Sequence, residues 1–531
     1  MKKGIAIIMC LLLAVSMVFI SCQRGTGSAR AAASMEMVIN NGTNVQSLDP
    51  SQVTGVPEHR VYLALFEGLV GYHPQTSRAV PGVAESWRFS NNNETITFTL
   101  RQGVVWSDGT PITAQQFVDS WLYFLDPANA SEYGYMMGMV IKGAYDYNSG
   151  RGRPQDVGIR AIDDRTFEVN LVGPVPYALD MMGHYAFSVL PLHVIQRHGT
   201  AWTRAENFVG NGPFVLQEYI PNNRIVVVPN DRYWNKANVY LTKITFLPIE
   251  DQNTSYNAYL NGEIDWGTDV PPARIDEVRL HRDYQVSPQL GTYYLQMNQT
   301  FHPAFTDARV RRALSMVINR DELMNRVIRS GELPAYSLVP PMGDYEPTPG
   351  LRMDIPEAQR LLAEAGFPGG RGLPTFEYAY NTSELHRIIG EYIQQTWRNQ
   401  LGINITLQNM EWATFLDYRS QGQFQIARAG WVADYQDPSN LLELLYSTSG
   451  NNEGRYSDAE YDRLIRQAAT MPDGPQRNAV MRQAEDIGIT RDQGVIPIFF
   501  YVNQDMINLD IWEGWYSNPL GIHPYINMRR R

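Results

Sequence analysis

Cysteine is nearly absent from this sequence of 531 residues, which contains two cysteines, Cys10 and Cys22. Both lie within the first 22 residues, so the rest of the chain carries no thiol. A disulfide framework, a thiolate metal site and cysteine nucleophile chemistry are therefore excluded for the body of the protein.

Sequence motifs of common enzyme classes are also missing. The chain has no His-Glu-x-x-His, no Gly-x-Ser-x-Gly, no Gly-Lys-Ser/Thr phosphate loop and no Gly-x-Gly-x-x-Gly. The adjacent acids Asp163 and Asp164 precede a strand and are more typical of a turn than of a catalytic pair. We therefore predict a protein that is not an enzyme and uses no cofactor or metal. Distant paired carboxylates, as in a glycosidase, stay open as an alternative.

Positive charge is in deficit, with 44 Lys and Arg residues against 55 Asp and Glu residues and a net charge of −11. An acidic protein is repelled by phosphate backbones and anionic lipid surfaces, so nucleic acid is not an expected partner. The length predicts roughly three domains.

The chain has one long apolar run, Ile5 to Ile20, which follows Lys2 and Lys3. A basic start before a short apolar core predicts a secretory signal, too short for a comfortable membrane span. An uncleaved anchor helix and cleavage after Ala33 are the alternatives. The stretch Phe19-Ile20-Ser21-Cys22 resembles a bacterial lipobox, with Phe19 where leucine is usual. We therefore expect residues 1–21 to be a lipoprotein signal peptide and Cys22 to be the acylated residue.

The next segment, 22–34, is small and polar and predicts a flexible tether. Strand-like runs follow at Thr95–Arg101, Arg165–Val172, Arg224–Val228 and Lys243–Ile249. Thr113 and Gln116 form a capping-box pattern that predicts a helix start. Later, the pattern predicts a strand at Thr375–Tyr380, a helix at Glu384–Asn399 that ends at Gly402, and a strand at Ile403–Leu407. Further helices are predicted at Pro356–Ala365, Ala459–Ala469 and Gln476–Glu485, and a strand at Val495–Val502. This arrangement indicates a mixed α/β protein with parallel strand pairing.

One segment combines charge with an extended pattern. Phe424–Val432 reads as a strand that ends near Asp434, and Arg428, Gly430 and Val432 share one face of it. Gly430 lacks a side chain, so another backbone could approach closely there. An arginine and an aspartate near opposite ends of a strand suit a zwitterionic ligand. A structural ion pair is the simpler alternative from spacing alone.

Motifs along nearly the whole mature chain resemble those of bacterial oligopeptide-binding proteins, the substrate-binding components of ABC importers (solute-binding protein family 5). They are Asn40–Pro50, Leu65–Leu69, Pro81–Trp87, Trp106–Pro111, Asn211–Phe214, Thr292–Tyr294, Asp307–Arg311, Asn381–His386 and Ala433–Tyr435. The resemblance implies a two-lobed α/β periplasmic-binding-protein fold with a β-rich domain inserted in the first lobe. It places the first lobe at 35–66, 191–290 and 503–531, the inserted domain at 67–190 and the second lobe at 291–502.

The resemblance also implies roles for individual residues. Asp434 matches the site that binds the peptide ammonium, and the backbone of Gly430, Trp431 and Val432 matches the strand that pairs with the peptide. The region of Val56 is its counterpart opposite. The positions that neutralise the peptide carboxylate and those that line side-chain pockets are matched by Arg419, Arg428, His386, Tyr133, Tyr294, Trp412 and Tyr501.

Two departures from the family pattern bear on specificity. Thr54 stands where the best-known members have an acid, and Ile328 stands where they have a lysine for the carboxylate of shorter ligands. The expected function is capture of short peptides by an exported, membrane-anchored monomer that delivers them to the permease and ATPase subunits of an ABC importer. The alternatives are the same fold specialised for a dipeptide, haem, a nickel chelate or a cell-wall peptide, or a surface adhesin or receptor.

Overall fold

The computed structural model describes residues 35–531. The predicted signal peptide, the tether and both cysteines lie outside these residues. Within the described part, no helix combines the length and apolar character needed to cross a membrane.

Nineteen strands form most of the framework of the described chain. In order they are β1 (Glu36–Asn40), β2 (Val70–Tyr72), β3 (Ala79–Pro81), β4 (Ala84–Ser90), β5 (Thr95–Leu100), β6 (Ile159–Asp163), β7 (Thr166–Asn170), β8 (Phe214–Ile220), β9 (Arg224–Pro229), β10 (Lys243–Leu247), β11 (Trp266–Gly267), β12 (Tyr284–Met297), β13 (Leu333–Pro334), β14 (Phe376–Asn381), β15 (Ile405–Met410), β16 (Ile426–Val432), β17 (Ile496–Ile507), β18 (Trp512–Glu513) and β19 (Arg529–Arg530).

The α-helices of the described chain cover the sheets. In order they are α1 (Val56–Leu65), α2 (Ala114–Leu125), α3 (Gly134–Val140), α4 (Ala144–Asn148), α5 (Ala178–Met181), α6 (Leu192–His198), α7 (Gln252–Leu260), α8 (Ile275–Val278), α9 (Pro303–Thr306), α10 (Ala308–Met316), α11 (Arg320–Glu322), α12 (Ile355–Glu364), α13 (Glu384–Leu401), α14 (Trp412–Ser420), α15 (Ser439–Leu442), α16 (Ala459–Ala469) and α17 (Pro475–Glu485).

One sheet of eleven strands runs through the molecule in the order β15-β14-β16-β12-β17-β11-β1-β10-β9-β8, with β13 added on β17. The long antiparallel strands β12 and β17, of 14 and 12 residues, connect its two ends. Their register shifts between Pro288 and Thr292, next to Gly291. Such an irregularity bends a strand pair locally, and β12 and β17 join the strands on either side of them into one sheet.

A separate four-stranded antiparallel sheet, β4-β5-β7-β6, lies within residues 84–170. Its inner residues Ile96, Phe98 and Phe167 belong to a large apolar cluster that also contains Met37 and Phe246 of the long sheet. A second apolar cluster is built from residues between 293 and 499. The division into three domains with the boundaries given above stays a prediction.

The strand–helix–strand unit of the second half is confirmed. β14 pairs in parallel with β15, α13 connects them, and Gly402 ends the helix with a positive φ of 69°. Asp163 accepts hydrogen bonds from the backbone of Arg165 and Thr166, which confirms its role in a turn.

The helix start predicted at Thr113 is confirmed, since α2 begins at Ala114 with Thr113 as its N-cap residue, although the Thr113 side chain makes no capping hydrogen bond. The Gln116 amide oxygen accepts from Trp106 Nε1 at 3.0 Å. One strand boundary is wrong. The strand predicted from Phe424 begins two residues later, at Ile426, after the Gln425 side chain accepts from the backbone of Glu377.

Candidate functional site

Two neighbouring cavities lie where the two parts of the fold face each other. The first cavity has a volume of about 160 Å³ and the second about 330 Å³. Their linings overlap, so they form one continuous cleft. Ten of the predicted site residues line the first cavity: Thr54, Val56, Tyr133, Trp412, Arg428, Gly430, Trp431, Val432, Asp434 and Tyr501. His386 lines the second cavity together with Arg428, Trp412 and Tyr501.

The strand β16 has one edge without a partner in its last five residues. β12 pairs with β16 along its whole length, from Ile426 to Val432. On the opposite edge, β14 pairs only with Ile426 and Ala427. From Arg428 onward, no strand of residues 35–531 covers that edge. An uncovered edge beside a cavity is where an extended ligand can add its own backbone hydrogen bonds.

The facing wall comes from the segment before α1. Gly55 has an extended backbone, with φ −102° and ψ 157°, and Val56 begins the helix with 44% of its surface exposed. A Cβ atom on Gly55 would lie 2.0 Å from Glu58 Oε2 and 3.1 Å from the ring of Trp412, so a side chain at this position would displace Glu58. Trp412 Nε1 also donates to Glu58 Oε1 at 3.4 Å, which links the two walls.

Asp434 lies at the end of this edge with 8% of its surface exposed. Its Oδ2 accepts from Asn440 Nδ2 at 3.3 Å, and its backbone N–H donates to Asn440 Oδ1 at 3.0 Å. His184 Nε2 lies 3.2 Å from Asp434 Oδ1 without meeting hydrogen-bond geometry. The carboxylate is therefore held in place while it keeps lone pairs available for a further donor.

Aromatic rings surround this carboxylate. Tyr133 lies 4.7 Å from the His184 ring and 6.0 Å from the Trp431 ring, centroid to centroid. Burial, and next the negative charge of Asp434, raise the pKa of Tyr133 and of Tyr185 well above the usual value. A carboxylate among aromatic faces is a suitable environment for an ammonium group.

Arg428 is a buried cation without a carboxylate partner. It is 7% exposed, and its Nε and Nη2 both donate to Asn381 Oδ1, the first at 2.6 Å. None of the ion pairs formed among residues 35–531 involves it, and burial lowers its pKa. A buried guanidinium in this state favours an incoming anion, which would satisfy its charge and its free N–H groups.

Three predicted residues differ from Arg428 in their surroundings. Arg419 is buried, pairs with Glu453 and lines neither cavity, and Tyr294 is 1% exposed and also lines neither. Burial and the charge of Arg428 lower the pKa of His386 well below its usual value, so its ring is neutral at neutral pH. Their predicted contacts with ligand stay predictions.

The space beside Gly430 is narrower than the sequence suggests. A Cβ atom at this position would lie 2.1 Å from the Tyr501 hydroxyl and 3.0 Å from its ring. The glycine therefore makes room for the Tyr501 side chain as well as for the open edge of β16.

Several lining residues carry no signal in the sequence pattern. Arg60, Trp266 and His523 line both cavities, and Tyr185 lines the first. They come from a helix, a two-residue strand, the C-terminal segment and a short turn, and only tertiary packing brings them together. Among residues 35–531, no three His, Asp or Glu side chains are grouped so that they could hold a metal ion.

The carboxyl group of Glu443, close to Asp434, predicts a pH dependence of stability. It is fully buried, accepts from Tyr435 Oη at 2.8 Å, and burial raises its pKa to about 8. Because the folded pKa exceeds the unfolded value, unfolding releases a proton between about pH 4.5 and pH 8, and stability falls over that range. We expect Glu443→Gln to be more stable than the parent at pH 8 by on the order of 3 kcal/mol, with little difference at pH 4.5. Urea denaturation of both proteins at pH 8 and at pH 4.5 measures this difference in stability. An equal effect of the substitution at both pH values would contradict the prediction.

The sequence of this chain is similar to those of a known protein family. The model of the family described as bacterial extracellular solute-binding proteins, family 5 Middle, matches residues 78–453. The periplasmic oligopeptide-binding protein OppA of Salmonella typhimurium is 39% identical over 501 residues, which cover 91% of this chain and 89% of that protein.

Solved structures show the same architecture. The structure of Haemophilus influenzae OppA in complex with RPPGFSPFR has a TM-score of 0.89 at 32% identity, covering 94% of this chain and 99% of that chain. The Escherichia coli murein tripeptide binding protein MppA has a TM-score of 0.89 at 35% identity, covering 94% and 99%. The unliganded open form of MppA scores only 0.62, covering 94% and 98%. These likenesses confirm the predicted two-lobed α/β fold class, in a conformation that differs from that open form.

Proposed function

Because this chain belongs to family 5 of the bacterial extracellular solute-binding proteins, we propose that it binds short peptides in the cleft between its two lobes and delivers them to an ABC permease. The OppA relatives are named as oligopeptide-binding proteins, and one of them is solved with a peptide. The observation that carries the proposal is the uncovered edge of β16, which ends at a buried carboxylate and starts at an unpaired guanidinium.

The proposed binding mode uses groups that every peptide has. The open edge at Gly430, Trp431 and Val432 pairs with the peptide backbone, and Asp434 binds the peptide ammonium. Arg428 binds the peptide carboxylate, and His386 contacts it in longer ligands. The segment at Thr54 and Val56 closes the opposite side, and the side chains of Tyr133, Trp412 and Tyr501 line the pockets. Arg419 and Tyr294 are omitted from these contacts because neither lines the cleft.

The spacing of the two charged groups limits the ligand length. Six residue steps separate Arg428 from Asp434, roughly 20 Å along an extended strand. A strand side chain stands roughly perpendicular to the sheet, so this distance corresponds to a peptide of at most about six residues. We propose peptides of up to this length as the main ligands.

Native purification followed by mass spectrometry of the bound material tests the proposal. We expect a mixture of peptides with free termini, recovered intact after long incubation with the protein, as for a binding protein that does not cleave its ligand. A haem absorbance band, a nickel chelate, a single cell-wall peptide or ligand cleavage would each contradict it.

Arg428→Gln is expected to weaken binding of a tetrapeptide with a free carboxylate by roughly 1.5–3 kcal/mol, because a charged hydrogen-bond donor is lost. The C-terminal amide of the same peptide lacks the negative charge, so its affinity should change much less. Calorimetry with both peptides on both proteins measures the difference. Arg463→Gln, which alters an exposed arginine on α16, is the matched control. Equal losses for acid and amide would contradict the proposed contact.

The attachment of the protein to a membrane and the division of its chain into domains are also proposed. We propose that signal cleavage before Cys22 leaves an acylated monomer on the outer side of a membrane, held by the tether at 22–34, with the domain boundaries given above. Metabolic labelling with radioactive palmitate tests this: label should enter the parent and be absent from Cys22→Ser.

A further inference from the structure

His184 is a completely buried histidine next to the carboxylate of Asp434. It directly precedes the short turn Tyr185–Phe187, within residues 67–190, the range of the predicted inserted domain. Its side chain is 0% exposed, and its Nε2 atom lies 3.2 Å from Asp434 Oδ1. His184 lines neither cavity of the cleft, so any effect that it has on a bound ligand acts through Asp434.

The backbone around His184 determines which of its ring nitrogens carries hydrogen. The N–H of Ala186 donates to His184 Nδ1 at 3.3 Å, so Nδ1 is an unprotonated acceptor. A histidinium ring carries hydrogen on both nitrogens and would direct one of these hydrogens at the Ala186 N–H. The geometry therefore selects the neutral ring with its hydrogen on Nε2, the atom that faces Asp434.

A neutral donor beside Asp434 has a different effect from a cation. A histidinium would form an ion pair with the carboxylate and cancel the charge that attracts a peptide ammonium. A neutral N–H group donates a hydrogen bond while the carboxylate keeps its full negative charge. Among residues 35–531, no lysine or arginine forms an ion pair with Asp434, so that charge stays available to a ligand.

The two oxygens of the Asp434 carboxylate have unequal support. Oδ2 accepts from Asn440 Nδ2 at 3.3 Å, whereas no group of the described chain donates to Oδ1 with hydrogen-bond geometry. His184 Nε2 is likewise a buried atom without a hydrogen-bond partner in residues 35–531. A small rotation of the carboxylate or of the ring would pair these two groups, and pairing removes the cost of an unsatisfied buried N–H.

Aromatic packing restricts the movement of the His184 ring. The ring centroids of Tyr185, Tyr133 and His59 lie 3.8, 4.7 and 5.6 Å from that of His184. A ring held on three sides and by the Ala186 N–H has a fixed direction for its Nε2–H. The histidine can therefore orient the carboxylate instead of following it.

The contact between His184 and Asp434 joins two parts of the chain that are distant in sequence. The same two parts meet again where Asn451 Nδ2 donates to Tyr135 Oη at 3.2 Å. A donor that belongs to a different part of the fold reaches Asp434 only while the two parts are together. Its loss should therefore speed the release of a bound peptide more than it slows capture.

We propose that His184 is a positioning residue for the ammonium site. In the peptide complex its neutral Nε2–H donates to Asp434 Oδ1 and directs the remaining lone pairs of the carboxylate at the peptide ammonium. Asn440, His184 and the ammonium then share the carboxylate, whose lone pairs accommodate all three donors. The inference rests on the peptide-binding function proposed above, and it adds a residue from the range 67–190 to the support of Asp434.

Two matched variants separate the two nitrogens of the His184 ring. In His184→Gln the longer amide places a donor where Nε2 lies, but the acceptor for the Ala186 N–H is lost. In His184→Asn the amide oxygen replaces Nδ1 as that acceptor, but no donor reaches Asp434. Asp473→Asn, which alters an exposed carboxylate outside the cleft, is the control.

Calorimetry with a tripeptide and with its N-acetylated form measures the ratio of the two affinities in each protein. We expect His184→Asn to reduce this ratio by roughly fivefold or more, the effect of one lost hydrogen bond, and His184→Gln to keep it within about twofold of the parent. Stopped-flow measurement should show faster dissociation of the free tripeptide from His184→Asn, with the association rate within about threefold of the parent.

A purely structural role would weaken both peptides equally, so an unchanged ratio in folded His184→Asn would overturn the inference. A ratio lost in His184→Gln but kept in His184→Asn would overturn it as well. If neither variant folds, nitrogen NMR of the histidine-labelled parent bound to the tripeptide provides the test: a His184 histidinium, or a neutral ring with its hydrogen on Nδ1, would overturn the inference. Failure of the parent to bind the free tripeptide would instead contradict the peptide function itself.

Discussion

Asp434→Asn is expected to weaken binding of a tripeptide with a free amino terminus by roughly 2–5 kcal/mol, the usual loss when one partner of a buried charge pair is removed. This corresponds to an increase in Kd of roughly 30-fold to several thousandfold. The reason is that the carboxylate of Asp434 is buried. A ligand ammonium at this position loses its water, and the rings of Tyr133 and Tyr185 cannot replace a full negative charge.

The measurement is isothermal titration of the parent and the variant with a tripeptide and with its N-acetylated form. The acetylated peptide has no ammonium, so the variant should bind it about as well as the parent does. Asp473→Asn is the control for a carboxylate outside the cleft, and thermal unfolding checks that the Asp434 variant is folded. Unchanged affinity for the free tripeptide would exclude Asp434 as the ammonium site.

The local elements of the fold were predictable because their signals are short-range. The helix of residues 384–401 has apolar residues at helical spacing and ends at Gly402, whose positive φ favours glycine. The strand ending at Val432 is predicted from the run of residues that starts at Phe424, and it forms from Ile426 onward. Each of these patterns is contained in about twenty consecutive residues, so the tertiary structure is not needed to recognise it.

The composition of the site was only partly predictable. The uncovered edge of β16 depends on where β14 ends its pairing, which the sequence of β16 does not contain. Arg419 and Arg428 look equivalent in sequence, but Glu453, 34 residues away along the chain, pairs with Arg419 and leaves Arg428 without a carboxylate. Burial and long-range partners decide which arginine is available, and neither has a local signature.

The described conformation brings the two walls of the cleft into contact. Trp412 Nε1 donates to Glu58 Oε1 at 3.4 Å, and Asn253 Nδ2 donates to Glu384 Oε2 at 3.1 Å. Glu58 is buried, and both contacts join a helix within residues 56–260 to a helix within residues 384–420. A bound peptide that touches both walls would add its own hydrogen bonds to these, and this is how a ligand favours closure of two lobes.

Arg477→Met is expected to lower the free energy of unfolding by roughly 3–5 kcal/mol, because it leaves the buried carboxylate of Asp437 without its partner. Arg477 is 1% exposed, and its two terminal nitrogens donate to both oxygens of Asp437 at 2.7 and 2.8 Å. Its Nε donates to the carbonyl oxygen of Ala468 at 3.1 Å, so one side chain ties three segments together. Urea denaturation measures the loss.

The same pair fixes the segment that carries the ammonium site. Asp437 lies three residues after Asp434, and Tyr435 between them stacks on Tyr177 at 4.8 Å with an angle of 7° between the rings. The Arg477 guanidinium lies 5.2 Å from the Tyr177 ring, so the pair also supports this contact between the two parts of the fold. We therefore expect Arg477→Met to weaken peptide binding as well as stability.

Two control variants distinguish the effect of breaking a buried ion pair from the effect of breaking an exposed one. Arg463→Met breaks an exposed pair with Glu460 on α16 and should cost less than about 0.5 kcal/mol. Adding Asp437→Asn to Arg477→Met removes the unpaired buried charge and should restore part of the lost stability, because the desolvation cost of the carboxylate disappears. If the double variant is as unstable as Arg477→Met, the loss comes from packing of the arginine stem against its neighbours, and the electrostatic account of this pair is wrong.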